Sequence, residues 1–312
     1  MDLLVAMKGV DTKAWVSALE EEIPEANIRL WTPGDDARAD YVLFWKEQAV
    51  ALNKRADVKA VFNMGAGVDA LLALLSEAEG TIADDVPIIR LEDAGMAQQM
   101  VEYAVYCALR FQRGFYLYEH FARSGTWHQF DAHPAEFFVI GVMGAGQLGQ
   151  PVAMALAHLG FPVRLFSRSE KSVPGVTTFA GMESLHAFAS GTKLLINLLP
   201  NTPETAGILN ARLFAAMDAG GYVVNLARGS HVVDADLLDA LESGQLARVA
   251  LDVFRQEPLP ADHPFWGHAQ VDMTPHISAR TLVRKSVEQV AAKIRSHQSG
   301  APLIGLDLKR GY

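Results

Sequence analysis

The sequence predicts an α/β protein built from two doubly wound parallel-sheet domains with a cleft between them. Short apolar runs alternate with helical patterns along the whole 312-residue chain, which is typical of parallel sheets flanked by helices. Half of the residues are hydrophobic, which suits two packed domains or one large one.

The apolar runs fall into two sets of strands, separated by a long helical pattern over residues 97–122. The first set is predicted at residues 2–7, 27–31, 40–45, 58–62 and 86–90. The second set is predicted at residues 137–143, 162–166, 193–199, 221–227, 248–254 and 271–275. Each set is expected to form one parallel sheet, because helical segments separate its strands.

The end of the chain predicts that the first domain is discontinuous. Residues 278–300 have the pattern of one helix ended by a glycine, after which the tail 301–312 is expected to return to the first domain. We therefore predict a substrate domain of residues 1–96 plus 282–312 and an inserted dinucleotide-binding domain of residues 97–281. Ligands are expected in the cleft between them, since pockets occur preferentially at domain interfaces.

The charge balance and the cysteine content limit the classes of function. The chain has 27 Lys plus Arg against 36 Asp plus Glu, a formal net charge of −9. This balance argues against general nucleic-acid binding, whose affinity comes from neutralising phosphates. Cys107 is the single cysteine, which rules out an intramolecular disulfide, suits a reducing cytoplasm and is expected to be ordinary packing.

Neither a signal peptide nor a membrane segment is expected. The N-terminus has no basic run before an apolar core. Residues 137–163 lack Asp, Glu, Lys and Arg, and a spanning helix needs about 20 apolar residues. However, this stretch contains several glycines and Pro151, which favour a buried strand, a glycine turn and a helix instead.

Residues 144–149 (GAGQLG) fit the pattern G-x-G-x-x-G between an apolar strand and a helical run. In that context the pattern indicates a dinucleotide site of the Rossmann type. The first glycine permits a tight turn, the second lets a pyrophosphate approach the backbone, and the third allows close packing of helix on strand. Gly144, Gly146, Gln147 and Leu148 are therefore the predicted cofactor-binding residues of this loop.

The strand after the glycine loop ends in Ser167-Arg168-Ser169, with Lys171 nearby. An acid about 20 residues past the glycines would bind the ribose hydroxyl of NAD and repel a 2′-phosphate. Arg168 reverses both effects, because a guanidinium makes charge-assisted contacts to phosphate and stacks on adenine. These four residues predict that NADP(H) is the preferred cofactor and that NAD(H) binds more weakly.

Three chemical groups follow three successive strands of the second set. Arg228 comes after residues 221–227, Glu257 after residues 248–254, and His276 after the last strand. Ligands of open α/β sheets bind at the carboxyl ends of the strands, and these are the groups that a 2-oxoacid reductase needs. Arg228 is expected to bind the substrate carboxylate and His276 to donate a proton to the developing alkoxide. Glu257 is expected to orient the imidazole and stabilise its protonated form.

Other candidate ligands have more than one interpretation. Asp252, at the end of the same strand as Glu257, either caps the next turn or contacts the nicotinamide amide. Two pairs of histidines, at 128/133 and 263/268, have neither a neighbouring cysteine nor helical metal-ligand spacing. No metal site is therefore expected.

Taken together, several segments resemble the D-2-hydroxyacid dehydrogenase family. Besides the glycine loop, these are residues 198–209 (LLPNTPETAGIL), 225–246 (NLARGSHVVDADLLDALESGQL), 251–260 (LDVFRQEPLP) and 274–278 (TPHIS). One bacterial branch, the glyoxylate/hydroxypyruvate reductases A, is similar in further segments. These are residues 62–72 (FNMGAGVDALL), 90–105 (RLEDAGMAQQMVEYAV), 167–176 (SRSEKSVPGV) and the C-terminal RGY.

The resemblance implies a flavodoxin-like substrate domain, a Rossmann NAD(P)-binding domain and a homodimer. It also implies reduction of glyoxylate to glycolate and of hydroxypyruvate to D-glycerate with NADPH, and the roles given above to Arg228, Glu257 and His276. The family's substrate loop matches Met64, Gly65, Ala66 and Gly67. Their N–H groups are expected either to form an anion-binding nest for the substrate carboxylate or to belong to a locally capped strand-to-helix turn.

Three further positions belong to this interpretation. Leu199 and Pro200 match the family segment that lies along the cofactor, and Trp45 at the end of a strand either lines the substrate pocket or belongs to the core.

Two alternatives stay open. One is another member of the family, such as a phosphoglycerate, formate or phosphite dehydrogenase; these mostly use NAD, so Arg168 argues against them. The other is a non-catalytic NAD(P)H-binding regulator, because the same fold supports different functions. Such a regulator would have no need for an arginine, a glutamate and a histidine at three strand ends.

Overall fold

The computed structural model describes residues 1–46, 49–52, 58–77 and 86–307. The chain divides into two compact units. The first unit consists of Met1–Gly95 and Thr281–Tyr312, and the second unit of Met96–Arg280. Among the described residues, no helix has both the length and the apolar character needed to cross a membrane.

The first unit contains a five-stranded parallel sheet. Its strands are β1 (Asp2–Met7), β2 (Asn27–Leu30), β3 (Tyr41–Trp45), β4 (Ala60–Asn63) and β5 (Ile88–Arg90). They are ordered β2-β1-β3-β4-β5, which is the order of flavodoxin-like doubly wound sheets. The tail of the chain returns to this unit, since the N–H of Leu306 donates to the carbonyl of Ile88 at 2.7 Å. The C-terminal RGY lies outside the described residues.

The second unit contains a seven-stranded parallel sheet. Its strands are β6 (Ile140–Met143), β7 (Val163–Ser167), β8 (Thr177–Ala180), β9 (Leu194–Asn197), β10 (Gly221–Asn225), β11 (Leu246–Leu251) and β12 (Val271–Met273). The order β12-β11-β10-β9-β6-β7-β8 is that of a Rossmann sheet with one added strand. It reverses between β6 and β9, the switch point at which such sheets bind ligands. The predicted fold class is confirmed.

Nine helices accompany the two sheets in the described part of the chain. They are α1 (Thr12–Glu22), α2 (Asp69–Glu77), α3 (Met96–Gln112), α4 (Phe115–Arg123), α5 (Gly149–His158), α6 (Leu185–Ala189), α7 (Ala211–Ala216), α8 (Asp234–Glu242) and α9 (Val283–Gln298).

The elements differ in detail from the predicted ones at three places. The helical pattern predicted over residues 97–122 forms two helices, because Gly114, whose φ of 61° is left-handed, separates α3 from α4. The helix expected from residue 278 begins only at Val283, because the N–H groups of Ser278 and Arg280 bind side chains instead of entering a helix. The edge strand β8 was missed, since its residues are only partly buried and form no apolar run.

The core of the second unit fixes the position of the glycine loop. β6 is buried along its whole length, and Ile140 and Val142 pack with Val152 and Leu156 of α5, all of them fully buried. Burial of such side chains contributes about 1.5–3 kcal/mol each. The strand and the helix on either side of the loop are therefore held against one another by apolar packing.

Candidate functional site

The three glycines of the loop differ in what surrounds them. Gly144 has a φ of 109°, and a Cβ there would lie 2.6 Å from the carbonyl oxygen of Leu198. At Gly149 a Cβ would lie 1.7 Å from the carbonyl oxygen of Gly144, so only glycine lets α5 start this close to the turn. A Cβ at Gly146 would meet nothing within 4 Å. Protein packing therefore does not require Gly146, whereas a ligand close to the exposed backbone would.

The first turn of α5 follows directly on this loop. Gln147 is exposed, Leu148 occupies the N-cap position, and the side chain of Gln150 donates to the carbonyl of Ala145 at 2.8 Å. The start of a helix presents N–H groups that lack partners within the helix, together with the positive end of its dipole. The loop therefore has the geometry of a pyrophosphate site.

The end of β7 carries the residues predicted to select the cofactor. Ser167 is buried, and its hydroxyl donates to the carbonyl of Ser169 at 2.7 Å, which tightens the turn. Arg168 and Lys171 are exposed. Glu204, in the segment after β9, has a pKa below its usual value because of a hydrogen bond with Thr202, its own backbone and the charge of Arg168. The charge of Arg168 therefore acts on a carboxylate with which a bound phosphate would compete.

The segment predicted to lie along the cofactor begins where β9 ends. Leu199 is nearly buried, and its N–H donates to Oδ1 of Asn197 at 3.2 Å. The carbonyl of Pro200 accepts from the hydroxyl of Thr205 at 2.7 Å. Both candidate residues thus have fixed backbones, and Asn197 is part of the reason.

Arg228 follows β10 in an extended conformation, with a φ of −144°. Its Nη1 donates to the carbonyl of Ala227 at 2.6 Å, and its own carbonyl accepts from Nδ2 of Asn225 at 2.9 Å. A Cβ at Gly229 would lie 1.8 Å from the carbonyl carbon of Phe254. The glycine therefore allows the segment that carries Glu257 to pass directly against the segment that carries Arg228.

A buried polar network connects the segment after β9, which carries Leu199, with the segment after β10, which carries Arg228. Nδ2 of Asn197 lies 3.0 Å from Oδ1 of Asn225 and 2.8 Å from Nδ1 of His231. All three side chains are fully buried. Asn197 also accepts from the N–H of Leu199, and Asn225 donates to the carbonyl of Arg228. The network therefore connects the end of β9 to the end of β10.

His276 and Glu257 form a direct pair. Nδ1 of the imidazole lies 2.7 Å from Oε2 of the carboxylate, whose Oε1 accepts from the N–H of Phe254 at 3.0 Å. The carboxylate accepts on both oxygens, so it fixes the plane and rotation of the ring. With Nδ1 engaged, Nε2 is the ring atom left for a substrate, and the His276 side chain is 47% exposed.

Asp252 organises the backbone on which His276 lies. Its buried carboxylate accepts from the N–H groups of Ile277 and Ser278, each at 2.8 Å, and from the hydroxyl of Thr274 at 2.6 Å. These contacts lie in the turn after β12, not in the turn directly after β11 where a cap was one of its two predicted roles. The contact with the nicotinamide amide stays a prediction.

The predicted substrate loop lies in the first unit. The ring of Trp45 covers Gly65, where a Cβ would lie 2.2 Å from the indole. Nδ2 of Asn63 donates to the carbonyls of Gly65 and Gly67, each at 2.9 Å, and shapes the turn. Met64 is buried and its N–H donates to the carbonyl of Phe44, which leaves Gly65, Ala66 and Gly67 as the members of the predicted nest.

The residues that sequence reasoning missed are polar side chains that act on the candidate residues. They are Asn63, Gln99, Tyr103, Asn197, Asn225, His231 and Thr274. The available signal was an asparagine at the end of an otherwise apolar run, as in VFN (61–63), LLIN (194–197) and YVVN (222–225). A buried amide needs hydrogen-bond partners, so each of these asparagines predicts a local network.

Metal-ligating side chains and the single cysteine are the remaining groups that could carry chemistry. Within the described ranges, no three His, Cys, Asp or Glu side chains come together as metal ligands. Cys107 is buried, and burial, followed by the charge of Asp272, raises the pKa of its thiol to about 12. The thiol is therefore protonated at neutral pH and belongs to the packing of α3.

Comparison with known families and proteins gives consistent results. Residues 105–278 match the family described as D-isomer specific 2-hydroxyacid dehydrogenase, NAD binding domain. The chain is 49% identical over 303 residues to glyoxylate/hydroxypyruvate reductase A of Serratia proteamaculans, covering 97% of each chain. It is 47% identical over 313 residues to the enzyme of the same name from Escherichia fergusonii, covering 100% of both.

Solved structures are similar over the same length. A D-isomer specific 2-hydroxyacid dehydrogenase from Xanthobacter autotrophicus, in complex with NADPH and MES, superimposes with a TM-score of 0.92 at 36% identity. An NADPH-dependent glyoxylate/hydroxypyruvate reductase from Sinorhizobium meliloti, in complex with NADP and sulfate, has a TM-score of 0.89 at 34% identity. Each comparison covers 100% of this chain and 99% of the other.

Proposed function

This chain belongs to the D-isomer specific 2-hydroxyacid dehydrogenase family, and from that premise we propose that it reduces small 2-oxoacids with NADPH. The proposed reactions are glyoxylate to glycolate and hydroxypyruvate to D-glycerate. The observation that carries the proposal is the hydrogen bond between His276 and Glu257, which orients an exposed imidazole in the unit that also contains the glycine loop. A binding module would have no use for such a pair.

The residues around the glycine loop fit a dinucleotide diphosphate. Gly144, Gly146, Gln147 and Leu148 would hold the pyrophosphate, as the open space at Gly146 and the start of α5 support. Leu199 and Pro200 would lie along the cofactor.

Ser167, Arg168, Ser169 and Lys171 would hold the adenosine 2′-phosphate. Two exposed cations at this strand end support NADP(H) as the preferred cofactor and NAD(H) as the weaker one. Solved relatives with NADPH or NADP bound give the same indication.

Each catalytic side chain has one role in the proposed reaction. Bound NADPH supplies the hydride that reduces the 2-oxo carbon. Arg228 binds the substrate carboxylate and polarises the 2-oxo group, since its charge is permanent. His276 gives its Nε2 proton to the developing alkoxide and becomes neutral, while Glu257 holds Nδ1 and stabilises the imidazolium before transfer.

The remaining candidate residues belong to the same proposal. The N–H groups of Gly65, Ala66 and Gly67, with Met64 at the start of their turn, are assigned to the substrate carboxylate, and Trp45 to the pocket wall. Residues 97–281 are assigned as the dinucleotide-binding domain, and residues 1–96 with 282–312 as the substrate domain. Asp252 is assigned to the turn that carries His276 and to the nicotinamide amide.

A turnover assay tests the proposal. Purified protein is mixed with NADPH and, in turn, glyoxylate, hydroxypyruvate, pyruvate and phenylpyruvate, and absorbance reports NADPH oxidation; the panel is repeated with NADH. We expect turnover of glyoxylate and hydroxypyruvate, with a higher kcat/KM for NADPH than for NADH. Cofactor binding without turnover of any 2-oxoacid would instead favour a regulator. Turnover of another 2-oxoacid with NADH alone would favour a different member of the family.

We also propose that the protein is a cytoplasmic homodimer. Segment 115–137 exposes several aromatic side chains, among them Trp127 at 92% and Phe137 at 77%, and exposed apolar patches of this kind mark association sites. Light scattering after gel filtration is expected to give twice the chain mass. The double variant Trp127→Glu with Phe137→Glu is expected to give the mass of one chain, and a single-chain mass for the wild type would contradict the proposal.

A further inference from the structure

The segment that carries His276 adopts an unusual backbone conformation. His276 has a φ of 55°, one of three non-glycine residues in the described chain with positive φ. Such a conformation costs about 1 kcal/mol or more for a residue with a Cβ, and it persists only where surrounding contacts determine it. Its N–H donates to the carbonyls of Asp252 and Thr274.

Residues 274–280 form the segment that carries His276. Its N-terminal end is held by a chain of hydrogen bonds in which each donor can be assigned. Thr274 Oγ1 lies 2.6 Å from Oδ1 of Asp252 and 2.7 Å from the hydroxyl of Tyr103 on α3. An ionised carboxylate only accepts, so the Thr274 hydroxyl must give its one proton to Asp252. The Tyr103 hydroxyl must then donate to Thr274. Burial raises the pKa of Tyr103, which keeps this donor protonated.

The other end of the segment is held by the same helix. The side-chain amide of Gln99 donates to the carbonyl of Arg280 at 2.9 Å and accepts from the N–H of Arg280 at 3.0 Å. Gln99 and Tyr103 are four residues apart and therefore share one face of α3. Residues 274–280 are thus bound at both ends by two side chains of one helix, with His276 between the two contacts.

We propose that Gln99 and Tyr103, which we call the α3 clamp, together with Thr274 are positioning residues for His276 in the proposed reduction. They do not touch the reacting groups. They hold the left-handed backbone at His276, so that Nδ1 meets Glu257 and Nε2 remains directed to the substrate. The inference rests on the proposed function, because it assumes that His276 is the proton donor.

Thr274 offers a matched pair of variants. Thr274→Val keeps the shape of the side chain but removes the hydroxyl, whereas Thr274→Ser keeps the hydroxyl. Asp252 retains its two backbone donors in both variants, so the fold is expected to persist. Tyr103→Phe removes the outer donor without changing the ring, and Gln99→Leu removes the second contact of the clamp.

The experiment measures each variant in the full-length protein. The readouts are kcat and KM for glyoxylate, the Kd of NADPH from fluorescence, the pH profile of kcat and the thermal midpoint. We expect Thr274→Val to lose about tenfold in kcat, and Tyr103→Phe and Gln99→Leu about threefold each, the size of one hydrogen bond. Thr274→Ser is expected within about twofold of wild type, and the Kd of NADPH should change less than about twofold in every variant.

A second readout does not depend on turnover. The imidazole N–H bound to Glu257 is expected to give a downfield proton resonance, assigned by its loss in His276→Ala. It should broaden or shift in Thr274→Val and remain in Thr274→Ser. If the wild type reduces no 2-oxoacid, the proposed function fails, but this resonance still tests the positioning.

The proposal is overturned if Thr274→Val equals Thr274→Ser in kcat and in the resonance. It is also overturned if every loss of kcat is matched by an equal loss of NADPH binding and a lowered thermal midpoint. That result would give the α3 clamp and Thr274 a structural role only.

Discussion

The substitution Glu257→Gln tests the pairing on which the proposed mechanism depends. Oε1 of Glu257 accepts from the N–H of Phe254, and Oε2 accepts from Nδ1 of His276. A glutamine amide has one oxygen and one NH₂ group, so it cannot accept at both places. In one orientation of the amide, its NH₂ group faces the N–H of Phe254, so that two donors oppose each other. In the other orientation, the NH₂ group faces His276, and the imidazole must take the neutral tautomer in which Nδ1 accepts. A neutral imidazole is not an effective proton donor at neutral pH.

The expected loss follows from this geometry. A hydrogen bond to a charged group contributes about 1.5–3 kcal/mol. The side chains of His276 and Glu257 are 47% and 36% exposed, and solvent screening reduces the upper part of that range. We therefore expect about 1.4–2.7 kcal/mol, which corresponds to about a 10- to 100-fold lower kcat.

The assay compares kcat for glyoxylate and the Kd of NADPH between wild type and Glu257→Gln from about pH 5 to about pH 8. The Kd should change by less than about twofold, because the carboxylate is assigned to the imidazole rather than to the cofactor. Glu242→Gln, an exposed glutamate at the end of α8, is the matched control and should behave as wild type. A kcat within about twofold of wild type across this pH range would refute the role given to Glu257.

Three further predictions concern the cofactor site and the first unit. Arg168→Asp should raise the Kd of NADPH by at least about tenfold and that of NADH much less; an equal rise for both would contradict recognition of the 2′-phosphate. Gly146→Ala places its Cβ in open space, so its urea unfolding should match that of the wild type while the Kd of NADPH rises at least about tenfold. Gly149→Ala places its Cβ 1.7 Å from a carbonyl oxygen, so this variant should lose both stability to urea and NADPH binding. The third prediction concerns the carboxyl group of Asp40. Its burial alone would raise its pKa, whereas hydrogen bonds and charge from the N–H of Asp2 and the ammonium of Lys59 lower the pKa to about 2. Because the folded value lies below the unfolded one, this carboxylate stabilises the fold above about pH 4 and the contribution is lost as the pH falls toward 2. Asp40→Asn should therefore lower the free energy of unfolding by about 1–2 kcal/mol at pH 7 and by less at pH 3; an equal difference at both pH values would contradict it.

Local patterns were sufficient for the fold class. Strand, glycine turn and helix follow one another at residues 137–159, and the structure has β6, the loop and α5 there. Propensity failed where one residue or an edge position decided the element. Gly114 ended α3 through its left-handed backbone, and β8 formed on the edge of a sheet with little burial, so neither gave a strong periodic signal.

The site was predictable to the extent that its chemistry lies at strand ends. Arg228, Glu257 and His276 were proposed because the carboxyl ends of parallel strands are where such sheets bind ligands, and the last two form a hydrogen bond in the structure. The buried polar side chains that hold the neighbouring backbone were not predicted. Asn197 binds His231 across 34 positions of sequence, and a single sequence contains no spacing rule for such a pair.

The sequence by itself determined which groups are available: an arginine after β7, three glycines with their spacing, and an arginine, a glutamate and a histidine at three strand ends. Those features are local, so composition and order along the chain are enough to recognise them. Only the tertiary structure decided how His276 is held. Tyr103 and Thr274 are 171 residues apart and meet because α3 packs beside the sheet of the second unit. The backbone at His276 is left-handed because long-range hydrogen bonds, not its own conformational preference, stabilise it.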